Sequence, residues 1–158
     1  MALVPTNTPL KTLLKMNIII ITCMSCKYKR GRTITKKKVL IVEDGVTGAM
    51  FLGKLVELWG YEICEIITSG IEAIKEAERQ RPDIVLIDIH LKGEINGIVA
   101  AEWIHSRLGI PIIFMTGYLD EETKEKALIA NPVGYLSKPL DYKKLNALID
   151  SVVGNKNH

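Results

Sequence analysis

The stretch VLIVED at residues 39–44 and the stretch IVLID at residues 84–88 share one plan. Each is a short, continuous apolar run rich in β-branched residues, ending in acid: Glu43-Asp44 in the first, Asp88 in the second. Continuous apolar runs of this length are the pattern of a parallel strand covered on both faces. Acids have no place inside such a strand, so these three sit where the strands emerge. In an open α/β sheet that edge is where ligands bind. Three carboxylates gathered there repel one another unless a cation joins them, and a site of hard oxygen ligands suits Mg²⁺.

Outward from these two strands the chain alternates regularly. The spacing predicts a strand at 38–43 and a helix from Val46 to Trp59 stopped by Gly60. A strand from Tyr61 to Ile67 follows, then a helix to Gln80 capped by Ser69, with Glu72 completing a capping box. After Pro82 come the strand at 84–88, a loop holding Gly93, and a helix over 97–107. Pro111 introduces a strand at 112–116, and Asp120 caps a helix to Ile129. Asn131-Pro132 turns the chain into a strand at 133–136, and Pro139 and Asp141 open a last helix to Val153. Five βα units mean an α/β fold with a parallel sheet and right-handed crossovers. They fit a doubly wound, flavodoxin-like strand order of 2-1-3-4-5, with helices on both faces. Its switch point lies between strands one and three, the two that carry the acids. The fourth strand ends in Thr116, and Lys138 follows the fifth.

The frame agrees with this. A chain of 158 residues, 47% apolar and 25% charged, has room for one ordinary domain with a core. The net charge of +3 conceals an asymmetry: nine of the 21 basic residues lie at or before Lys38, where there is no acid. The remainder holds twelve basic and eighteen acidic residues. An acidic body speaks against direct nucleic-acid binding, which needs a positive surface. Residues 1–36 read as a basic, disordered leader and 37–154 as the folded domain. The apolar patch at Leu13-Leu14 and Ile18 to Ile21 is too short and too interrupted for a membrane span. Three cysteines make no disulfide framework and fit a reducing, cytoplasmic compartment. Cys23 and Cys26 form a C-x-x-C without a second ligand pair nearby, and Cys64 falls in a strand and reads as core. His105 and His158 read as solvent-facing.

Four stretches taken together resemble one family: VLIVED (39–44), DIVLIDIHL (83–91), IIFMTG (112–117) and GYLSKPL (134–140). The chain resembles the receiver domains of two-component response regulators, typified by the small chemotaxis regulator. The resemblance implies that Asp88 accepts a phosphoryl group from a sensor histidine kinase or a phosphotransfer protein. It implies that Glu43, Asp44, Asp88 and the backbone carbonyl of His90 hold Mg²⁺. Thr116 and Lys138 would each bond a phosphoryl oxygen, with Tyr135 as the aromatic switch residue. Neither Glu43 in place of an aspartate nor Gly45 after the acid pair removes a required group. In the implied switch the Thr116 hydroxyl moves toward the phosphoryl group and Tyr135 rotates inward behind it. The downstream protein target would then bind the face formed by residues 120–129, 133–136 and 141–153. The peptide bond before Pro139 is expected to be cis. The last helix is followed only by Gly154 to His158. The expectation is therefore a stand-alone receiver that is not a metabolic enzyme and catalyses only its own phosphotransfer and dephosphorylation. Two rivals remain. A haloacid-dehalogenase-type phosphatase would want a second aspartate where His90 stands. A flavodoxin-like flavin binder would want a phosphate loop where Glu43-Asp44 would repel phosphate.

Overall fold

The five apolar runs pair side by side in a computed structural model that describes residues 35–118 and 120–154. The strands are β1 (Lys38–Val42), β2 (Glu62–Ile67), β3 (Ile84–Asp88), β4 (Ile112–Thr116) and β5 (Gly134–Ser137). They form one parallel sheet in the order β2-β1-β3-β4-β5, the order that five βα units were expected to fit. Successive side chains of a strand point to opposite faces, so each strand feeds two cores. Leu40, Val42, Val85, Ile87, Ile112 and Phe114 belong to one. Val39, Ile41, Ile84, Leu86, Ile113 and Met115 belong to the other. This explains why the central runs are apolar without alternation: every residue of β3 and β4 is buried.

Among the described residues, five helices cover the two faces: α1 (Val46–Leu58), α2 (Gly70–Gln80), α3 (Gly97–Leu108), α4 (Glu121–Ala127) and α5 (Tyr142–Val153). Small residues of α2 and α3, Ala73, Ala77, Ala100 and Ala101, lie on the first core and let these helices approach closely. Leu52 and Val56 of α1 and Leu145, Ile149 and Val153 of α5 fill the second. Ser69, Asp120 and Asp141 cap α2, α4 and α5 as expected, each accepting a backbone N–H of the first turn. The hydrogen bond from Thr123 N–H also holds the Asp120 carboxyl below its ordinary range.

Several boundaries differ from the sequence expectation for physical reasons. Tyr61 is buried but precedes the strand, because its hydroxyl is drawn across to Asp150 of α5. α4 ends at Ala127, and the chain tightens into a 3₁₀ turn over Leu128–Ala130. Asn131 then stops it in the left-handed region at φ 41°, ahead of Pro132, which the residue before it could not approach as a helix. The capping box is half formed: Glu72 bonds the Ser69 hydroxyl, 3.0 Å away, rather than reaching back to the backbone. His105 is half-buried instead of solvent-facing, with Nδ1 3.2 Å from the Ile110 carbonyl. Cys64 is half-buried on edge strand β2, against the first core. The expected leader, the Cys23 and Cys26 pair, and His158 lie outside the described residues.

Candidate functional site

β1 and β3 are neighbours in register, Val42 beside Ile87, so the residues that follow each strand emerge together. Glu43 and Asp88 are buried at 8% and 6% exposure, while Asp44 is half-buried. One carboxylate oxygen from each of Glu43, Asp44 and Asp88 can be chosen so that all lie within 4.8 Å of one another. β4 and β5 bring up the rest. Thr116 pairs with Ser137, and the Lys138 N–H donates to the Thr116 carbonyl at 2.7 Å. That contact aims the Lys138 side chain back over the sheet edge, just before a cis bond to Pro139, as expected.

Lys138 Nζ donates to Asp88 Oδ2 at 2.5 Å and to Glu43 Oε2 at 2.5 Å. Burial pulls the Lys138 ammonium toward neutrality, but the hydrogen bonds and charges of Asp88 and Glu43 outweigh it and hold its pKa above the ordinary lysine value. The other oxygen of Asp88 accepts the His90 backbone N–H at 2.9 Å, and Glu43 Oε1 accepts the Gly45 N–H at 3.1 Å. Asp88 therefore has one oxygen fixed by backbone and one facing an ammonium. This is a geometry for holding a charged nucleophile in place.

The close approach behind Asp88 explains a residue. A Cβ at Gly97 would lie 1.9 Å from the Asp88 carbonyl oxygen, so only glycine lets the start of α3 pack against the end of β3. The Asn96 side chain caps α3 there, accepting the Val99 N–H at 3.0 Å.

Thr116 is buried at 1% exposure and sits at the same edge, with its hydroxyl turned into its own loop. It donates to the Tyr118 carbonyl at 2.6 Å and accepts the Tyr118 N–H at 3.2 Å. His90 Nε2 lies 3.3 Å from the same carbonyl. The half-buried ring of Tyr135 stacks on Phe114, its register partner on β4, with centroids 5.7 Å apart and planes 20° apart. Its hydroxyl is buried without a partner among the described residues, and burial raises its pKa.

Two features were missed in the sequence. Lys92 Nζ lies 3.4 Å from Asp44 Oδ2. A cleft of about 280 Å³ opens beside Glu43 and Lys138, lined also by Gly45, Gly48, Pro139 and Tyr142 among others. The side-chain-free positions Gly45 and Gly48 were the legible sign of that cleft. Nothing local marked Lys92.

Residues 39–150 match the model of the response regulator receiver domain. The chain belongs to that family. Among its relatives is the transcriptional regulatory protein ZraR of Escherichia coli K12, 31% identical over 118 residues, which cover 74% of this chain and 26% of that protein. The chain thus spans about a quarter of that relative's length. The polar-differentiation response regulator DivK of Brucella anthropi is 30% identical over 122 residues, covering 75% of this chain and 98% of DivK. Among solved structures, the receiver domain of the sensor histidine kinase PA1611 from Pseudomonas aeruginosa PAO1 superposes with a TM-score of 0.68 at 28% identity. The match covers 76% of this chain and 99% of that one, and that receiver has a magnesium ion coordinated in its active site cleft. Membership in the receiver family sets aside the phosphatase and flavin-binding alternatives. Among the described residues no helix is long and apolar enough to cross a membrane.

Proposed function

We propose that the domain, taken as residues 37–154, is a phosphorylation-controlled switch in which Asp88 accepts a phosphoryl group from a histidine kinase or a phosphotransfer protein. The observation that carries this reading is the pair of 2.5 Å contacts from Lys138 to Asp88 and Glu43, with Asp44 in the same carboxylate cluster. Asp88 attacks the phosphorus of the donor phosphohistidine, the P–N bond breaks, and the imidazole leaves with its electron pair. The half-buried Lys138 ammonium would meet charge on the transferred group, and the Thr116 hydroxyl would bond a second oxygen once it leaves the Tyr118 carbonyl.

The donor set fits a divalent cation. Glu43, Asp44 and Asp88 offer hard carboxylate oxygens within one another's reach, and the His90 carbonyl would complete the protein ligands. The magnesium ion in the PA1611 receiver supports the choice of Mg²⁺. When bound, Mg²⁺ supplies neutralisation of charge on the phosphoryl oxygens. The reading places the protein in the cytoplasm, signalling by protein binding rather than by turning over a metabolite. The downstream partner would dock on the face of α4, β5 and α5.

The test is incubation with acetyl phosphate or phosphoramidate and Mg²⁺, read by intact mass. The wild type is expected to gain one base-labile phosphoryl group and Asp88→Asn none. Full labelling of Asp88→Asn would overturn the assignment.

A further inference from the structure

The three carboxylates of the site are not served alike. Glu43 and Asp88 share the half-buried ammonium of Lys138, whose side chain is 30% exposed. Asp44 faces a different cation, Lys92, whose side chain is 90% exposed. The two lysines are therefore held differently. Lys138 is locked between two buried acids. Lys92 has a fixed root and a free arm.

The root is fixed by the loop between β3 and α3. Leu91, on one side of Lys92, is buried. Ile95, on the other side, packs against the first core, and its carbonyl oxygen would lie only 2.4 Å from a Cβ at Gly70. Between them Gly93 adopts φ 117°, a backbone conformation that favours glycine, and the chain bends there. This turn presents Lys92, four residues past the acceptor Asp88, toward Asp44. The arm is free because nothing buries it. A pair this exposed is weak, so an entering ion can displace it. Tethering nevertheless keeps the ammonium at high local concentration around the carboxylate.

We propose that Lys92 is a tethered cation that competes with the divalent ion for Asp44 and so sets how tightly the site takes up that ion. The proposal rests on the reading that Glu43, Asp44 and Asp88 form an ion site. The charges make such a competitor useful. Three carboxylates against Lys138 alone leave two negative charges at the sheet edge; Lys92 reduces that to one while the ion is absent. That role passes to Mg²⁺ when it binds, and the side chain swings into solvent at little cost to the fold. Lys92 is a positioning residue by this account: it acts through Asp44 and touches no reacting atom.

The experiment is an Mg²⁺ titration of EDTA-treated full-length protein, followed by the amide shifts of Asp44 and His90. The panel is wild type, Lys92→Gln, Lys92→Arg, Asp44→Asn and the double variant Lys92→Gln/Asp44→Asn, with Lys54→Gln as a control of equal charge on α1. Removing an exposed partner of this kind is expected to lower the Kd of Lys92→Gln about two- to fivefold. Lys92→Arg should stay within about twofold of wild type, because it keeps the cation. Lys54→Gln should not move. In the Asp44→Asn background the Lys92→Gln effect should vanish, which separates competition at Asp44 from a general electrostatic effect. An unchanged Kd in Lys92→Gln overturns the proposal while leaving the ion site standing. So does equal tightening with and without Asp44. Saturable shifts absent from the wild type and every variant would overturn the ion site itself, and the proposal with it.

Discussion

Gly97→Ala sets two known effects against each other with opposite signs. Alanine is a better helix former than glycine by up to about 1 kcal/mol, so propensity alone predicts a more stable protein. The structure predicts the reverse. The added Cβ would stand 1.9 Å from the Asp88 carbonyl oxygen, 2.8 Å from its carbon and 3.0 Å from Ile89 Cα. All three are backbone atoms, so no rotamer change relieves the contact. Reaching an ordinary C···O separation of about 3.4 Å requires the start of α3 to back away from the end of β3 by roughly 1.5 Å. Forced overpacking of this kind costs about 1–3 kcal/mol; against rigid backbone at 1.9 Å the upper end applies, and subtracting the propensity gain of about 1 kcal/mol leaves a net loss of about 2 kcal/mol. Gly48→Ala is the matched control, since a Cβ there meets nothing within 4 Å on α1. It should gain about 0.5–1 kcal/mol from propensity. Urea denaturation in EDTA reads both. With a slope near 1.5 kcal/mol/M, the Gly97→Ala midpoint should fall by about 1.3 M and the Gly48→Ala midpoint should rise slightly. The clash also displaces Asp88, and misplacement by about 1 Å can cost on the order of a hundredfold in rate, so labelling by acetyl phosphate should slow sharply. If Gly97→Ala is as stable as Gly48→Ala, the close approach does not constrain this position and the reasoning fails.

Lys138→Gln strands Glu43 and Asp88 together with side chains only 11% and 8% exposed, and should cost about 2–3 kcal/mol in EDTA. Adding Asp88→Asn should recover part of that loss; no recovery would mean the two acids do not strain one another. Because its folded pKa is raised, Lys138 contributes stability in full below the unfolded lysine value of about 10.4, and that contribution fades as pH rises through the folded value. Wild type should therefore lose stability at alkaline pH more steeply than Lys138→Gln, and parallel curves above that pH would contradict the pairing. Burial pushes the Cys64 thiol up to about 11. In a variant with Cys23 and Cys26 replaced by Ser, alkylation at pH 8 should run roughly ten- to twentyfold slower than for a free thiol, and a rate equal to glutathione's would show that Cys64 is open to solvent. Tyr135→Phe removes a buried hydroxyl that has no partner among the described residues, so thermal stability should hold or rise by about 1 kcal/mol, whereas a loss of that size would reveal a hydrogen bond to that oxygen.

What was legible followed from signals local to a few residues. The runs at 39–42 and 84–87 announced strands because burial on both faces admits no polar position, and the parallel sheet followed from their alternation with helices. Ser69, Asp120 and Asp141 announced helix starts because a side-chain oxygen there satisfies an otherwise unpaired N–H. The carboxylate cluster could be placed because strand ends converge in a parallel sheet whatever the side-chain details. What escaped depended on long-range placement. Tyr61 reads as a strand residue until Asp150, far along the chain, takes its hydroxyl. Lys92 is one exposed lysine among many until the turn at Gly93 sets it beside Asp44. Neither contact leaves a periodic trace. The end of α4 was misjudged for another reason: Leu128 and Ile129 continue an apolar pattern, yet both are exposed, at 59% and 62%, on a 3₁₀ turn.

The position of Tyr135 bears on how a switch of the proposed kind would work. The sequence expectation had its ring turn inward after phosphorylation, into space vacated by Thr116. In the structure the half-buried ring stacks on Phe114, its register partner on β4. The committed element lies elsewhere. The Thr116 hydroxyl is engaged with the Tyr118 backbone, as donor at 2.6 Å and acceptor at 3.2 Å, and His90 stands 3.3 Å from the same carbonyl. A phosphoryl group on Asp88 would have to draw Thr116 out of that arrangement before it could be bonded. The Tyr118 carbonyl would then lose its Thr116 donor and keep only the His90 ring beside it, which loosens the loop that follows β4. Tyr135 would bias that change, since its buried hydroxyl, without a partner among the described residues, costs stability while the ring stays in. A half-buried ring whose hydroxyl lacks a partner among the described residues would narrow the gap between the two states. This is the condition under which one new charge can shift their populations.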